Sequence, residues 1–199
     1  MKEAKPFPDL ATRRLRLRRF RPDDVDGLHA CFGDPVAMRY WNFPPSKSST
    51  ETARWAKALG DAKSPHTWLG WAMARKGSDR CIGMVNYHHR EPRNRRLEIG
   101  YILAPALHGK GFMTEALHAV LAYCFRDLDV HRVEAIIEPA NTASIRLATR
   151  LGFRLEGGPL RDYWRVGETY RSTMMYSLLA GELVPAASLR PGVRSKKTA

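Results

Sequence analysis

Residues 97–126 constrain the fold more than any other stretch, because a pair of glycines there separates a strand-like run from a helical one. Residues 97–103 are almost entirely apolar, as buried strands are, and Gly109 and Gly111 follow after a short connection. Beyond the glycines, apolar residues recur at the spacing of one helix face: Met113, Leu117, Val120, Leu121 and Cys124. The stretch therefore predicts a strand, a glycine-rich turn and a helix in that order.

The same turn is a candidate phosphate site. The first N–H groups of a helix have no partner inside the helix, and its dipole is positive at that end. Glycines let the backbone come close to an anion. The turn lacks the Gly-Lys-Ser/Thr ending of a P-loop and the third glycine of a dinucleotide-binding fingerprint. We therefore predict a pyrophosphate cradle of main-chain N–H groups at residues 109–114, with an ordinary strand-to-helix turn as the alternative.

Residues 109–116 read Gly-Lys-Gly-Phe-Met-Thr-Glu-Ala. This run resembles motif A of the GNAT acetyltransferases, and most closely the RimJ/RimL-like branch of ribosomal-protein N-terminal acetyltransferases. His108 and Met113 depart from that pattern, but neither side chain is needed when main-chain amides bind the phosphates. The resemblance implies acetyl-CoA as cosubstrate, held by these residues: His108, Gly109, Lys110, Gly111, Phe112, Met113 and Thr114.

Three further motifs follow the order of that family: an Arg-Leu opening strand after Thr12, Glu-Ile-Gly-Tyr at 98–101, and Asn-x-x-Ser with Leu-Gly-Phe within 141–153. The resemblance spans about residues 12–180. It implies an α/β fold with a mixed, mostly antiparallel central sheet flanked by helices. Two central strands, 97–103 and 132–138, would splay apart and hold acetyl-CoA, and the backbone N–H of Ile102 or Leu103 would bind the oxyanion.

Glu98 is the candidate general base. A carboxylate among apolar neighbours tends toward a raised pKa, which suits proton abstraction from an amine. The alternative is a surface ion pair with Arg95 or Arg96. In the resembled family, a carboxylate on this strand often assists deprotonation of the amine, directly or through water.

The segment from residue 141 supplies two more candidates. Asn141 has the residue type of a helix N-cap, and the resemblance implies that it also contacts the pantetheine arm of CoA. Many family members carry a tyrosine general acid at the position of Ala148, so that mechanism is excluded here. Ser144 is then the candidate that protonates, or hydrogen-bonds to, the leaving thiolate.

An aromatic cluster precedes two prolines at residues 44–45. In the resembled family, the region between the first two helices lines the acceptor site. We therefore predict that Tyr40, Trp41 and Phe43 shape the substrate pocket. A cap on the hydrophobic core explains the same residues equally well.

The chain carries a formal charge of +13 and a pI near 10.1, which favours polyanionic partners such as nucleic acid, ribosomes and phosphorylated cofactors. An Arg-rich opening strand, residues 13–21, is interpreted as a solvated face, with an RNA surface as the alternative. We predict a loose lead at 1–11, one acetyltransferase domain at 12–183, and a basic, disordered tail at 184–199.

The cysteines and histidines indicate the redox compartment and whether a metal site is expected. Three scattered cysteines favour a reducing compartment and hence the cytoplasm, and each is interpreted as a core residue. His88 and His89 are adjacent on a predicted strand and should point to opposite faces, so we predict no metal site. No run of apolar residues is long enough to predict a membrane span, and none predicts a signal peptide.

The combined prediction is an acetyl-CoA-dependent N-acetyltransferase in which a primary amine attacks the thioester directly. A protein or peptide N-terminal α-amine is the favoured acceptor, with ribosome association as a further expectation. Two alternatives stay open: acetylation of a small-molecule amine (antibiotic, polyamine or amino acid), and a non-catalytic basic module that binds ribosomes or RNA. The sequence leaves the oligomeric state open.

Overall fold

The computed structural model describes residues 7–60 and 67–189. Within this part of the chain there are four helices: α1 (Val25–Phe32), α2 (Ser49–Gly60), α3 (Phe112–Arg126) and α4 (Thr142–Leu151). Eight strands form one sheet: β1 (Leu10–Ala11), β2 (Leu15–Arg18), β3 (Leu69–Arg75), β4 (Cys81–Glu91), β5 (Arg96–Leu103), β6 (Arg132–Ile137), β7 (Arg154–Val166) and β8 (Thr169–Leu179). The strand order is β1-β2-β3-β4-β5-β6-β8-β7.

Helices cover both faces of the sheet. Trp71 and Met73 of β3 belong to the apolar cluster that contains α3 and α4. Ala72, which lies between them, belongs to a second cluster that contains α1 and α2. Because successive strand residues point to opposite faces, the two clusters are the two layers of the core. The predicted mixed α/β fold is confirmed.

The sheet opens at its centre. β5 and β6 are its parallel pair, and the other neighbouring strands run antiparallel. Their paired residues end at Glu98 opposite Glu134. β5 continues to Leu103 and β6 to Ile137 with no further pairing between them. The predicted splay of the two central strands is therefore confirmed, and it leaves a gap in the middle of the sheet.

The opening strand is less solvated than predicted. Arg18 is 2% exposed, and its guanidinium donates to both carboxylate oxygens of Asp24, at 2.8 and 2.9 Å. Arg16 is exposed and pairs with Asp9. Arg14 pairs with Glu115. The interpretation of a solvated face is wrong at Arg18, because the turn Pro22–Asp24 ahead of α1 supplies a buried acid, Asp24, as its partner.

The predicted loose lead is ordered where the structure describes it. The ring of Phe7 packs edge-on against Trp71, whose indole N–H donates to the carbonyl of Pro8 at 2.7 Å. Leu10 and Ala11 then pair with β2. The prediction of a loose lead is therefore wrong from residue 7 onward, because apolar side chains there pack on the core. Residues 1–6 lie outside the described part.

The start of the predicted tail is also attached to the domain. The N–H of Val184 donates to the carbonyl of Leu151, and its own carbonyl accepts from Nε2 of His118 at 3.1 Å. A short 3-10 turn follows at Ala186–Ser188. Residues 184–189 thus differ from the disordered segment that was predicted, and 190–199 lie outside the described residues.

The three cysteines, Cys31, Cys81 and Cys124, are buried and free, which confirms their interpretation as core residues. Burial raises the pKa of the thiols of Cys81 and Cys124 to about 12, so both stay neutral. Among the described residues, no helix has both the length and the apolar character needed to cross a membrane.

Candidate active site

The gap between β5 and β6 opens into a cleft of about 1430 Å³. Its walls come from the turn between β1 and β2, the segment between α1 and α2, strand β5, the glycine turn and the start of α4. All the predicted site residues line this cleft except Phe43. The splayed strands therefore bring together residues that are far apart in the sequence.

The glycine turn has the conformation that the phosphate hypothesis needs. Gly109 and Gly111 have φ values of +72° and +75°, which other residues rarely adopt. A Cβ at Gly109 would meet no atom within 4 Å, so the backbone is open there. Helix α3 begins at the next residue after Gly111, and its first N–H groups lack intrahelical partners. The cleft thus meets main-chain donors at the positive end of a helix.

The side chains of the turn are occupied elsewhere. Nε2 of His108 donates to the carbonyl of Leu103 at 2.8 Å, and Nζ of Lys110 donates to the carbonyl of Ala106. Phe112 and Met113 are buried in the core. The two departures from the family pattern, His108 and Met113, thus have side chains that bond or pack within the protein. Thr114 lines the cleft as well.

An ion pair from the opening strand braces the turn. Glu115 accepts from the backbone N–H of Arg14, from its Nε at 2.7 Å, and from the hydroxyl of Thr12. Partial burial alone would raise the pKa of Glu115, but these hydrogen bonds outweigh it and the pKa lies below its usual value. The guanidinium of Arg14 also lies 4.2 Å above the ring of Phe112. The start of α3 is thereby fixed to β2.

Several cations line the cleft that the sequence analysis did not select. Arg13 lies between β1 and β2, Arg39 lies between α1 and α2, and Arg146 and Arg150 belong to α4. Arg146 and Arg150 are exposed and four residues apart, so they share one helix face. This spacing of four residues was the sequence signal that could have identified the two arginines as neighbours on one helix face. A cationic lining fits a cosubstrate that carries several phosphate charges.

The start of α4 confirms the capping role of Asn141, whose Oδ1 accepts from the backbone N–H of Ser144 at 3.2 Å. Ser144 lines the cleft, and its hydroxyl lies close enough to the hydroxyl of Tyr101 on β5 to lower the pKa of Tyr101. Burial outweighs this effect and raises the pKa of Tyr101 to about 12. Tyr101 therefore stays protonated at neutral pH. Sequence reasoning missed it because it appeared only as part of the Glu-Ile-Gly-Tyr motif.

The backbone of β5 distinguishes Ile102 from Leu103. A Cβ on Gly83 of β4 would lie 2.4 Å from the carbonyl oxygen of Ile102, so the polar groups of Ile102 face β4. The N–H of Ala104 likewise donates to β4, at the carbonyl of Ile82. Backbone direction alternates along a strand. The N–H of Leu103 is therefore the one turned toward the gap, although both residues line the cleft.

Glu98 does not have the raised pKa that was predicted. Burial of its carboxylate, which is 13% exposed, favours a higher pKa. Contacts with His88 and His89 outweigh that effect, and the net pKa lies below its usual value. The alternative ion pair is also wrong, since Arg95 pairs with Asp129, and Arg96 with Glu91 and Glu134.

The two histidines lie on the same side of the sheet, which contradicts the prediction of opposite faces. Nε2 of His88 lies 3.2 Å from one carboxylate oxygen of Glu98, and Nδ1 of His89 lies 3.1 Å from the other. The pairing of β4 with β5 shifts register after His88, and His89 has a φ of +48°. This bulge breaks the strand alternation on which the prediction of no metal site rested.

The aromatic cluster has two roles. Tyr40 and Trp41 line the cleft, and the hydroxyl of Tyr40 donates to the carbonyl of Ala140 at 3.0 Å. Phe43 instead packs against Phe32, Trp41 and Trp55. The core-cap alternative therefore describes Phe43. Trp68 and Trp164, which the sequence did not single out, line the same cleft as Glu98.

Comparison with known proteins assigns the family. Residues 14–154 match the model of the acetyltransferase (GNAT) domain. The uncharacterised N-acetyltransferase p20 of Bacillus licheniformis is 34% identical over 173 residues, which are 87% of this chain and 97% of p20. YdaF of Bacillus subtilis, named as a candidate ribosomal N-acetyltransferase, is 36% identical over 100 residues, covering 50% of this chain and 54% of YdaF.

Solved structures agree on the fold. A GNAT-family acetyltransferase of Bacillus anthracis superposes with a TM-score of 0.76 at 24% identity, over 87% of this chain and 99% of that one. A spermidine N-acetyltransferase of Vibrio cholerae, solved with CoA and spermine, gives 0.71 at 22% identity, over 84% of this chain and 96% of that one. Because the family model covers well over half of the sequence, this chain belongs to the GNAT family of acetyltransferases, which use acetyl-CoA as the acetyl donor.

Proposed function

We propose that this acetyltransferase moves the acetyl group of acetyl-CoA to the N-terminal α-amine of a protein or peptide, by direct attack on the thioester. One observation carries the proposal: a single cleft joins a main-chain phosphate cradle at Gly109–Gly111 to a carboxylate, Glu98, across the gap between the splayed strands. The cradle suits the cosubstrate and the carboxylate suits a cationic amine.

Acetyl-CoA would enter with its pyrophosphate against the N–H groups of residues 109–114. Cationic side chains support this binding, since Arg13, Arg146 and Arg150 line the same cleft as the glycine turn. The pantetheine arm would then follow the unpaired edge of β5, with Asn141 at the opposite wall. Much of the rate would come from holding the thioester and the amine together.

Three residues, Leu103, Ser144 and Tyr101, would act at the thioester. The N–H of Leu103, which is turned toward the gap, would donate to the oxyanion. The hydroxyl of Ser144 would donate to the departing thiolate. The neighbouring Tyr101 hydroxyl keeps its proton at neutral pH and would replenish the serine. This pair would take the place of the tyrosine that Ala148 replaces.

Glu98 would receive the acceptor. An ionised carboxylate at the end of the gap attracts an ammonium group and aims it at the thioester carbonyl. The amine would then lose its proton to water in the open cleft, because an amine attacks only when it is neutral. Tyr40, Trp41 and Trp164 would bound the remainder of the acceptor.

The charge of the cleft supports an acceptor with one amino group. Besides Glu98, the acids that line it are Glu115 and Glu138. Glu115 pairs with Arg14, and Glu138 accepts from Arg171 at 2.9 Å. Glu98 is thus the acid least neutralised by arginine among the described lining residues. A polycation would find one anchor in a cleft that is otherwise basic.

A small-molecule amine is the second candidate. The structure solved with CoA and spermine shares this fold, which keeps polyamines among the acceptors to test.

The net charge of +13 and the name of YdaF favour an acceptor associated with the ribosome. We place the reaction in the cytoplasm, where buried free thiols remain reduced.

Thiol release from acetyl-CoA tests the proposal when it is measured across three acceptor classes: peptides with free N-termini, spermidine and an aminoglycoside. We expect turnover with the peptides at a kcat/KM at least about tenfold above that for the other two classes. Preference for spermidine or the aminoglycoside would replace the α-amine acceptor with a small molecule.

A further inference from the structure

We propose that His88, His89 and Glu98 form a binding site for a divalent transition-metal cation of the Zn²⁺ type, at the acceptor end of the cleft. Each residue offers one donor atom, and the three donor atoms lie within 4.8 Å of one another. The carboxylate stands between the two imidazoles, at 3.2 Å from one and 3.1 Å from the other.

The backbone supports a specific role for His89. Its φ of +48° lies in the left-handed region, which is unfavourable for a residue that carries a Cβ. Without this bulge, His89 would point to the opposite face of β4. The strained conformation is what turns both imidazoles toward one carboxylate.

The donor set selects the kind of metal. Two imidazole nitrogens and one carboxylate suit Zn²⁺ and its first-row neighbours, whereas Mg²⁺ and Ca²⁺ prefer oxygen donors. Donors around a tetrahedral zinc lie about 3.4 Å apart, given bonds of about 2.1 Å. Small rotations of the rings would bring the observed separations to that value. Since the side chain of His89 is 79% exposed, the remaining coordination position would open to solvent.

A second residue holds the geometry of His88. The amide of Asn86, which is 6% exposed, places its nitrogen 3.1 Å from Nδ1 of His88. This contact turns Nε2 toward Glu98. When Nε2 binds a metal, Nδ1 carries the proton, and half a turn of the amide would present its oxygen as the acceptor. Gly100 leaves room for that amide, because a Cβ there would lie 2.8 Å from it.

Metal binding would block acetyl transfer, a consequence that rests on the proposed function. Glu98 is the proposed anchor for the acceptor ammonium, and a cation bound to its carboxylate would displace that ammonium. Acetyl-CoA would bind as before, because its cradle lies at the other end of the cleft. Inhibition by the metal should therefore be competitive with the acceptor amine and not with acetyl-CoA.

Binding is tested by titrating ZnCl₂ into the full-length, tag-free protein in a calorimeter. We expect one saturable site per chain in the wild type. His89→Gly should weaken it at least about tenfold without lowering the melting temperature, because glycine tolerates the positive φ. The matched control is His131→Asn, an exposed histidine outside the cluster, and it should bind as the wild type does. Wild-type affinity in His89→Gly, or no saturable site in the wild type, would overturn the proposal.

Inhibition is tested separately, by adding ZnCl₂ to the acetylation assay and comparing each variant with its own rate without metal. The wild type should lose at least about tenfold in rate at saturating Zn²⁺ and low acceptor, and EDTA should restore it. Zinc that binds in the calorimeter but leaves the rate unchanged would refute the inhibitory role. The calorimetric arm needs no acetylation activity, so failure of the proposed function would leave the metal site testable on its own.

Discussion

The guanidinium of Arg14 donates through Nη1 to the carbonyl of Lys110 at 2.9 Å, across 96 positions of the sequence. Lys110 lies between the two glycines of the turn, and the same guanidinium holds Glu115 in the first turn of α3. Arg14 therefore holds both sides of the proposed phosphate cradle. We infer that its role is to position that cradle.

Replacing Arg14 should loosen the cradle. We expect Arg14→Gln to raise the KM for acetyl-CoA by about tenfold, the equivalent of one charge-assisted hydrogen bond, with a smaller change in kcat. The matched control is Arg16→Gln, since Arg16 lies two residues further along the chain but pairs with Asp9 at the surface. Steady-state kinetics of both variants provide the measurement, and equal KM values for the two would contradict the positioning role.

Gly111→Asp should abolish detectable binding of acetyl-CoA. The substitution forces an unfavourable φ and places a negative charge beside the proposed pyrophosphate site. Gly181→Asp is the control, because Gly181 also has a positive φ and open space but does not line the cleft. Both variants should fold, and calorimetric titration with acetyl-CoA should separate them. Normal binding by Gly111→Asp would mean that the phosphates lie elsewhere.

Ser144→Ala should lower kcat by about tenfold while the KM for acetyl-CoA stays close to the wild-type value. The lost hydroxyl is proposed to act on the thiolate, which develops its charge only in the transition state. Thr142→Ala, on the exposed side of the same helix, should be neutral. A change confined to KM would assign Ser144 to binding of the cosubstrate.

Glu156 makes stability depend on pH. Hydrogen bonds from Arg132 and Ser177 lower its pKa from 4.5 to about 2. Because the folded pKa is the lower one, its contribution is present above about pH 4.5 and is lost as the pH falls toward about 2. The melting temperature of Glu156→Gln should therefore lie below that of the wild type at pH 7 and converge with it near pH 2. A constant difference across this range would contradict the assignment.

The main outline of the fold could be predicted because it depends on local periodicity. The run from residue 97, the glycine pair and the apolar face of α3 each follow from nearby residues, and the splay followed from the family motifs. The environment of Arg18 could not be predicted, because its partner Asp24 is buried with it only after the chain folds back. The same holds for the packing of Phe7 on Trp71.

The candidate site was predictable where backbone chemistry defines it. Gly109, Gly111 and Asn141 are selected by conformation and capping, which sequence reports well. Glu98 was identified, but its neighbours were not, because the bulge at His89 overrides the alternation of a regular strand. Tyr101 was missed because its partner Ser144 comes from another element, and only the folded chain brings the two hydroxyls together.

Acetylation of an N-terminal α-amine is tested most directly with one peptide in two forms. One form has a free N-terminus and the other a blocked one, and each contains an internal lysine. Thiol release from acetyl-CoA is measured with both forms, and the product is located by mass spectrometry. We predict turnover with the free form, an acetyl group on its α-amine, and no turnover above background with the blocked form. Equal turnover of the two forms, or acetylation of the lysine alone, would contradict it.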